Sequence, residues 1–337
     1  MRIKQWVNTL LGVVLISTIT GCSVRDMAAS GMVSFGNEYM SPWFMASNDT
    51  DVMCAMGEGM AAMTFPMGPN IDPMIPMVTL ASGMCADEKA KESELRFLRA
   101  MIKNDVATAQ DARTMQKRWT KLAAERQYFG YQAAVRYFGE PGSDECPDFS
   151  DRNEEMSYLF GMFGGLQAVQ MDLSVNGAGG VPLDVMPKAL EGLKCVDSDK
   201  FWGIPNAVAA VVEISKARLD EDKSAQQLGI DRLNLAARVG EKEGVRMVHL
   251  IEATLYMSQG NESAVKDVIR KHVEMKQEFP ANPDLNLLDE MATRGLRLIS
   301  DKLWTASTGQ RTPFGKFGTF WDDQFIPADA MDIDDLL

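Results

Sequence analysis

Apolar residues recur along most of this chain at the three- and four-residue spacing of α-helices. Alternating runs of β-branched residues are almost absent, and the long segments are rich in Ala, Met, Leu, Glu, Lys and Gln, which favour helix. The pattern therefore predicts an all-α protein. The predicted helices cover residues 47–63, 76–86, 88–103, 106–138, 154–173, 183–195, 199–219, 224–240, 244–259, 262–279 and 283–306. The helices at 76–86 and 88–103 can merge into one.

The predicted helix 154–173 carries three glycines, Gly161, Gly164 and Gly165, in its interior. Each glycine costs a helix about 0.5–1 kcal/mol relative to alanine, so close packing against another backbone or a ligand is the expected compensation. The candidate contacts for an apolar ligand or a partner protein are Phe160, Met162, Phe163 and Trp202.

The C-terminal helices follow a helix-turn-helix rhythm. Gly260-Asn261 predicts a tight turn, and Asn282-Pro283 predicts a helix start with Asn282 as N-cap. Positions typical of a tetratricopeptide unit are Ala253, Tyr256, Gly260, Ala264 and Pro280. We therefore expect a degenerate tetratricopeptide-like superhelix, whose stacked units leave a concave face for binding.

The N-terminus has the architecture of an export signal. Arg2 and Lys4 precede a short apolar run, which ends in Ile19-Thr20-Gly21-Cys22. An apolar residue, two small residues and a cysteine form a lipobox, so residues 1–21 are predicted to be cleaved and Cys22 to carry the lipid. The alternative is an ordinary signal peptide with a chance cysteine. Ser23, in place of Asp, favours an outer-membrane anchor facing the periplasm.

Three regions are expected after the signal. Residues 22–46 are predicted to form a lipidated tether, residues 47–312 a helical repeat-like domain, and residues 313–337 an aromatic and acidic tail. We expect the aromatic residues of the tail to pack back onto the domain. They are Phe314, Phe317, Phe320, Trp321 and Phe325.

Charge narrows the range of partners. Loss of Arg2 and Lys4 with the signal changes the formal net charge from −13 to −15. An acidic surface argues against nucleic acid and against tight docking on anionic lipid, but it is compatible with a protein partner, an apolar ligand or a homo-oligomer. The lipid is then the expected membrane attachment.

Four cysteines remain besides Cys22, and an even number in an oxidising compartment suggests disulfides. We favour Cys54–Cys85 and Cys146–Cys195, because each pair would join neighbouring helices. Buried free thiols are the alternative, since unpaired cysteine is among the most buried residue types.

Catalytic motifs are missing from the sequence. His249 and His272 are the only histidines, and each has the surroundings of a structural residue. There is no G-x-S-x-G, H-E-x-x-H, P-loop or C-x-x-C motif. We therefore predict a protein without catalytic residues, cofactor or metal ligands, although an enzyme of unrecognised type stays an alternative.

Methionine is the one conspicuous excess, with 24 in the chain. Met53, Met56, Met60 and Met63 share one face of the first predicted helix, and Met67, Met74, Met77 and Met84 follow. Soft thioethers could hold Cu(I), which would make the chain a periplasmic copper carrier. The same spacing is typical of a core stripe or of an apolar pocket lining, which we favour.

Several segments together resemble the T component associated with TRAP transporters. They are Asp51 to Glu58, Ala112 to Trp119, Ala123 to Tyr128, Pro182-Leu183, Gly260 to Met275 and Leu287 to Arg294. The resemblance implies a periplasmic lipoprotein with a cryptic tetratricopeptide fold that partners a solute-binding protein and handles apolar ligands. This chain departs from the family in its glycine-rich helix, its extra cysteines and its aromatic tail.

Overall fold

The computed structural model describes residues 24–142 and 145–323, and all regular secondary structure within these ranges is helical. The predicted all-α class is therefore confirmed. The predicted signal peptide, Cys22 and the end of the tail, including Phe325, lie outside the described residues. Among the helices that are described, none combines the length and the apolar character that crossing a bilayer requires.

The described part of the chain begins with α1 (24–35), which continues through a π turn, Gly36–Met40, into α2, Ser41–Ala46. Two 3₁₀ turns, Phe65–Met67 and Pro69–Met74, separate α3 from α4. The remaining helices are α3 (Thr50–Thr64), α4 (Ile75–Ile102), α5 (Val106–Phe138), α6 (Arg152–Ser174), α7 (Val185–Leu193), α8 (Ile204–Leu219), α9 (Lys223–Lys242), α10 (Met247–Ser258), α11 (Glu262–Glu278) and α12 (Asn286–Thr308).

Aspartate side chains cap several helix N-termini, where backbone N–H groups lack intrahelical partners. Asp49 accepts hydrogen bonds from the backbone N–H groups of Asp51 and Val52, and Asp151 accepts them from Asn153 and Glu154. The helices predicted at 47–63 and 154–173 are therefore present, with their starts at Thr50 and Arg152.

Three helix starts predicted in the C-terminal half, at 199, 244 and 283, are three or more residues too early, since the helices begin at Ile204, Met247 and Asn286. Helix α12 begins at Asn286 rather than Pro283, because Asn282 accepts a hydrogen bond from Asp284 N–H in a turn and its own N–H donates to the carbonyl of Gly244. Helix α8 begins at Ile204, since Gly203 before it adopts a left-handed conformation with φ of 79°.

The segment predicted as a tether is folded. Residues 24–46 are helical, and Ala29 is fully buried in a small core with Ile71, Ile75 and Ala133. Its apolar side chains occupy more than one face of the helix, so one face can pack on the domain.

Helix α6 lies at the centre of the molecule. It packs against α4, α5 and α7. Most of its residues are buried, and they share the main core with side chains from α8, α10 and α12. A Cβ at Gly165 would lie 2.6 Å from Cδ2 of Tyr131 in α5, and one at Gly164 would lie 3.0 Å from Oε1 of Gln127. The predicted close packing at these glycines is therefore confirmed, with α5 as the neighbour.

The C-terminal helices form consecutive antiparallel neighbours. Helix α8 packs on α9, α10 packs on α11, and α12 packs on both α10 and α4. The inner helices contribute Val208, Met247, Leu287 and Met291 to the core that they share with α6. The tetratricopeptide-like winding stays a prediction.

Both predicted disulfides are present, and part of the aromatic tail packs on the domain. Disulfides join Cys54 to Cys85 and Cys146 to Cys195, each with a Cα–Cα distance of 5.4 Å, as predicted. In the described part of the tail Phe320 is buried, whereas Phe314 is fully exposed. The prediction that the aromatics pack back is therefore confirmed for Phe317, Phe320 and Trp321 and is wrong for Phe314.

Candidate functional site

The four residues predicted to touch a ligand or partner lie mostly in the interior. Phe160, Met162 and Trp202 are buried, and Phe163 is partly buried against the same core. They fill the space around the central helix α6. None of them lines either of the two cavities described next.

A pocket rich in methionine lies between the π turn with α2 on one side and α3 with α4 on the other. Five methionines line it: Met40, Met56, Met60, Met74 and Met77. Each is half-buried, with some of its surface open to the cavity or to solvent. The enclosed volume is about 40 Å³. We call this cavity the methionine pocket.

The predicted methionine series thus separates into groups with different surroundings. Met56, Met60, Met74 and Met77 line the methionine pocket, while Met53 and Met84 belong to the main core. Met67 packs in the small core beside Ile71, and Met63 is 60% exposed. Part of the series is therefore pocket lining, as favoured from the sequence.

Two glycines allow the helices around the methionine pocket to approach each other. A Cβ at Gly57 would lie 2.6 Å from the backbone N of Ser82, so α3 can touch α4 only because this side chain is absent. The Cys54–Cys85 disulfide joins the same two helices nearby. A Cβ at Gly36 in the π turn would lie 3.0 Å from Cε and 3.4 Å from Sδ of Met74. The wall formed by α3 and α4 is held both covalently and by packing.

The remaining lining of the methionine pocket is apolar or uncharged. Polar atoms come from Asn37, Ser41, Asn153 and Ser157, and the Ser157 hydroxyl donates to the carbonyl of Pro73 at 2.5 Å. None of the described lining residues carries a charge. The pocket is therefore suited to an apolar ligand, or to a soft cation held by thioether sulfur.

A second cavity is an open groove at the turn between α4 and α5, with a volume of about 470 Å³. Apolar side chains on its floor include Met101, 55% exposed, and Val106, 65% exposed. Arg113 and Lys117 also line it and bring positive charge to an otherwise acidic protein. We call it the α4–α5 groove.

The two histidines, which looked isolated in the sequence, contact each other in the interior. His249 Nδ1 lies 3.1 Å from His272 Nδ1, and both side chains are fully buried. His249 Nε2 lies 2.8 Å from Oε1 of Glu241, which also pairs with Lys271 at 2.8 Å. At the other end, His272 Nε2 is 3.0 Å from the hydroxyl of Thr293.

The surroundings of the pair hold both histidines neutral. Burial is the main reason that the pKa of His249 is lowered, and burial, with the positive groups nearby, lowers the pKa of His272 to about 2. Burial works against ionisation of Glu241, but hydrogen bonds from His249 and Lys271 outweigh it and lower its pKa to about 2.

These protonation states fix the direction of the hydrogen bonds. Ionised Glu241 accepts from His249 Nε2, so the neutral His249 accepts at Nδ1 from His272 Nδ1. At the other end, His272 Nε2 contacts the Thr293 hydroxyl, which accepts from Lys276 and has the carbonyl of Asp289 as a further acceptor at 3.0 Å. The chain links α9, α10, α11 and α12 with every histidine nitrogen satisfied, as expected of a structural network.

A buried ion pair adjoins this network. Arg246 and Asp289 are both fully buried, and the guanidinium donates to the two carboxylate oxygens at 2.9 and 2.5 Å. Arg246 also donates to the carbonyls of Met275 and Phe279 at the end of α11. Three helices are therefore held at one point. No group of three or more His, Cys, Asp or Glu side chains in the described ranges is arranged to hold a metal ion.

No protein-family model, characterised protein or solved structure matches this chain. The resemblance to the T component of TRAP transporters thus stays a prediction.

Sequence reasoning missed several lining residues of the methionine pocket. Met40, Ser41 and Phe44 lie in the segment taken for a tether, and Asn153 and Ser157 belong to α6. The apolar periodicity of residues 24–46 was the available signal. The contact between His249 and His272 had no such signal, because it depends on how α10 and α11 pack.

Proposed function

We propose that this chain is a lipid-anchored, all-helical binding protein that faces the periplasm from the outer membrane and accepts an apolar ligand in the methionine pocket. The observation that carries the proposal is the convergence of five half-buried methionines on one uncharged cavity. Methionine side chains are flexible and polarizable, and proteins use them where an apolar surface must adapt to its ligand.

The size of the pocket indicates how binding would occur. A volume of about 40 Å³ is room for only a few water molecules. A ligand therefore requires Met60 and Met77 to change rotamer, which their half-buried, unbranched side chains permit. A slender alkyl or acyl chain suits this pocket better than a rigid ring system.

A protein partner is the second part of the proposal. The α4–α5 groove combines exposed apolar side chains with Arg113 and Lys117, so it favours a partner segment with apolar side chains and carboxylates. A periplasmic solute-binding protein of the TRAP type is the partner that the sequence resemblance suggests. In this proposal the chain is a scaffold and performs no catalysis.

A copper carrier is the second candidate function, and the same five methionines favour it. Thioethers are soft ligands that select Cu(I) over harder cations. The two candidates differ in what they need from the side chains, since copper needs the sulfur atoms whereas an apolar ligand needs only the shape of the cavity.

Leucine substitutions separate the two candidates, because leucine replaces methionine at similar volume without sulfur. The unlipidated C22S chain and its M56L/M60L/M77L variant are titrated with a dansyl-labelled fatty acid and, separately, with Cu(I) against a chromogenic chelator. We expect both chains to bind the fatty acid and neither to compete for copper. Copper binding that is stoichiometric in C22S and lost in the leucine variant would establish the carrier instead.

Filling the pocket provides the matching loss of function. Met60 lies at the pocket with part of its surface exposed, so M60W should fold and occupy the cavity. We expect fatty-acid binding to fall at least about tenfold in M60W, the effect of removing roughly 1.4 kcal/mol of binding free energy. L235S, at an exposed apolar position on α9, is the control and should bind normally. Equal binding by M60W and L235S would contradict the proposed pocket.

Cross-linking in intact cell envelopes tests the partner. M101S/V106S removes the apolar floor of the α4–α5 groove, and L235S again serves as the control. We expect the control to retain a cross-linked periplasmic protein, identified by mass spectrometry, that the groove variant loses. Recovery of the same partner by both variants would move the partner site elsewhere.

A further inference from the structure

The first helical segment carries an exposed apolar stripe. The exposed fractions are 58% for Val24, 70% for Met27, 53% for Phe35, 59% for Tyr39 and 62% for Trp43. Exposed apolar groups that occur singly need no explanation, but a row of five on one helical segment marks a surface that contacts something else. We call this row the stripe.

The π turn keeps the stripe in line. Phe35, Tyr39 and Trp43 are spaced by four residues, which overshoots an α-helical turn of about 3.6 residues. The segment Gly36–Met40 is a π turn, whose hydrogen bonds reach one residue further and whose turn is correspondingly longer. Four-residue steps therefore return to nearly the same face, and the rings of Phe35 and Tyr39 stack with centroids 5.6 Å apart.

The opposite face of this helical segment is already in use. Ala29, Gly36, Phe44 and Met45 are buried against the domain. Rotating the helix to hide the stripe would expose these residues, so the stripe cannot be satisfied within the fold. A helix that is apolar on two faces needs a second apolar environment.

We propose that the stripe lies in the interfacial layer of the membrane that holds the acyl chains of Cys22, with α1 and α2 parallel to the membrane plane. This inference rests on the proposed lipid anchor, which places Val24 only two residues from the acylated cysteine. From Val24 to Trp43 the helix extends roughly 28 Å, at a rise of about 1.5 Å per residue. Because Val24 is so close to Cys22 in the chain, the acyl chains bring the start of the stripe to the bilayer.

The chemistry of the stripe fits a lipid interface. Tyrosine and tryptophan concentrate at the level of lipid headgroups, where an aromatic ring can be apolar on one side and hydrogen-bonded on the other. Only Arg25, Asp26 and Glu38 are charged between residues 24 and 46, so attraction to anionic lipid contributes little. The contact is apolar, as in helices that lie on membranes by their hydrophobic face.

The arrangement also places the methionine pocket next to the bilayer. Met40, Ser41 and Phe44 line the pocket, while Tyr39 and Trp43 of the same segment belong to the stripe. The pocket is then separated from the membrane by one helix, about 10 Å in diameter. An apolar ligand can pass between lipid and pocket along this helix without crossing the aqueous periplasm.

Tryptophan quenching by brominated lipid tests the inference on the full, lipidated chain. The protein is reconstituted in vesicles of phosphatidylethanolamine and phosphatidylglycerol, with or without bromine on the acyl chains. The variants are W43F and, as the control, W119F at a half-buried tryptophan on α5. We expect bromolipid to quench W119F at least as strongly as wild type, and W43F clearly less. Equal quenching of W43F and wild type would overturn the inference.

The mass of the mature N-terminal peptide separates the two possible failures. If the peptide carries no acyl group, the proposed anchor fails, and the inference falls with it. If Cys22 is acylated but Trp43 is not quenched, only the stripe proposal fails. Light scattering in detergent would then show whether a second copy of the chain covers the stripe.

An unlipidated variant measures the contribution of the stripe alone. F35S/Y39S/W43S in the C22S background should bind the same vesicles at least about tenfold more weakly than C22S itself, because large apolar side chains are lost from the contact. L235S in the same background should bind as C22S does. Equal vesicle binding by the triple variant and C22S would also overturn the inference.

Discussion

His249 and His272 face each other through their Nδ1 atoms at 3.1 Å in the interior, where protonation of His249 at Nδ1 would break this hydrogen bond and protonation of His272 at Nε2 would bury a charge beside Arg246 and Lys276. Both have a lowered pKa, so the unfolded chain binds more protons than the folded chain once the pH falls below about 6.5. Their contribution to stability is therefore complete above that pH and is lost progressively as the pH falls toward their folded-state pKa values.

We predict that lowering the pH from 8 to 5 destabilises the protein by about 2 kcal/mol through His272 alone. The reason is that pH 5 lies about 1.5 units below the pKa of histidine in the unfolded chain, while folded His272 stays neutral. Urea unfolding at the two pH values measures this difference. Glu252 acts in the opposite direction, because burial raises its pKa and its contribution is lost as the pH rises. The H249Q/H272Q variant keeps the effect of Glu252, so the difference between wild type and variant gives the contribution of the histidines, and the variant should no longer lose stability between pH 8 and pH 5. An unchanged pH dependence in this variant would contradict the account.

The buried pair of Arg246 and Asp289 should contribute far more to the fold than any exposed pair. D289N leaves a buried guanidinium without its counter-charge, which we expect to cost about 3–5 kcal/mol. Glu213 and Arg232, half exposed, form the control pair, and E213Q should cost less than about 1 kcal/mol. Chemical denaturation measures both values, and similar losses in the two variants would refute the structural role given to the buried pair.

Replacing Gly161 and replacing Gly59 with alanine should change the stability of the protein in opposite directions. A Cβ at Gly161 would overlap that of Ala134, so G161A should destabilise the protein by roughly 1–3 kcal/mol. Gly59 lies in α3 with open space around it, so G59A should stabilise by about 0.5–1 kcal/mol. Thermal unfolding of both variants checks the close packing of α5 and α6, which two changes of the same sign would contradict.

The two disulfides should stabilise the protein by reducing the conformational entropy of the unfolded chain. Removing either pair, as C54S/C85S or C146S/C195S, should cost about 2–4 kcal/mol. Reductant should lower the stability of wild type toward that of the variants. Free thiols titrated in the native protein, isolated from the periplasm without reductant, would contradict this pairing.

Much of the fold was predictable because its signals are local. Asp49 and Asp151 cap helices a few residues away, and the apolar spacing of residues 106–138 marks α5 within its true bounds. The helix start predicted at Asn282-Pro283 was wrong because Asn282, a typical N-cap residue, lies in a turn here and also contacts the distant Gly244. Tertiary contact overrode the local preference there.

Only part of the candidate site was predictable, because tertiary packing decides which helix faces meet. Met56 and Met60 share a helix face that is visible in the sequence, but Met40 joins them only through the packing of the N-terminal segment on α3 and α4. The glycines around Phe160 and Met162 suggest ligand contacts in the sequence, but in the structure they serve the contact between α5 and α6. Sequence alone does not tell a packed helix face from an open one.

The most direct test of the central claim is the mass of the protein extracted gently from the cell envelope, measured first in the native and then in the denatured state. The account predicts a denatured mass equal to residues 22–337 plus acyl chains, and a native mass larger by one apolar ligand that M60W fails to retain. An unacylated chain, or an acylated chain whose native mass shows no ligand in wild type, would contradict it.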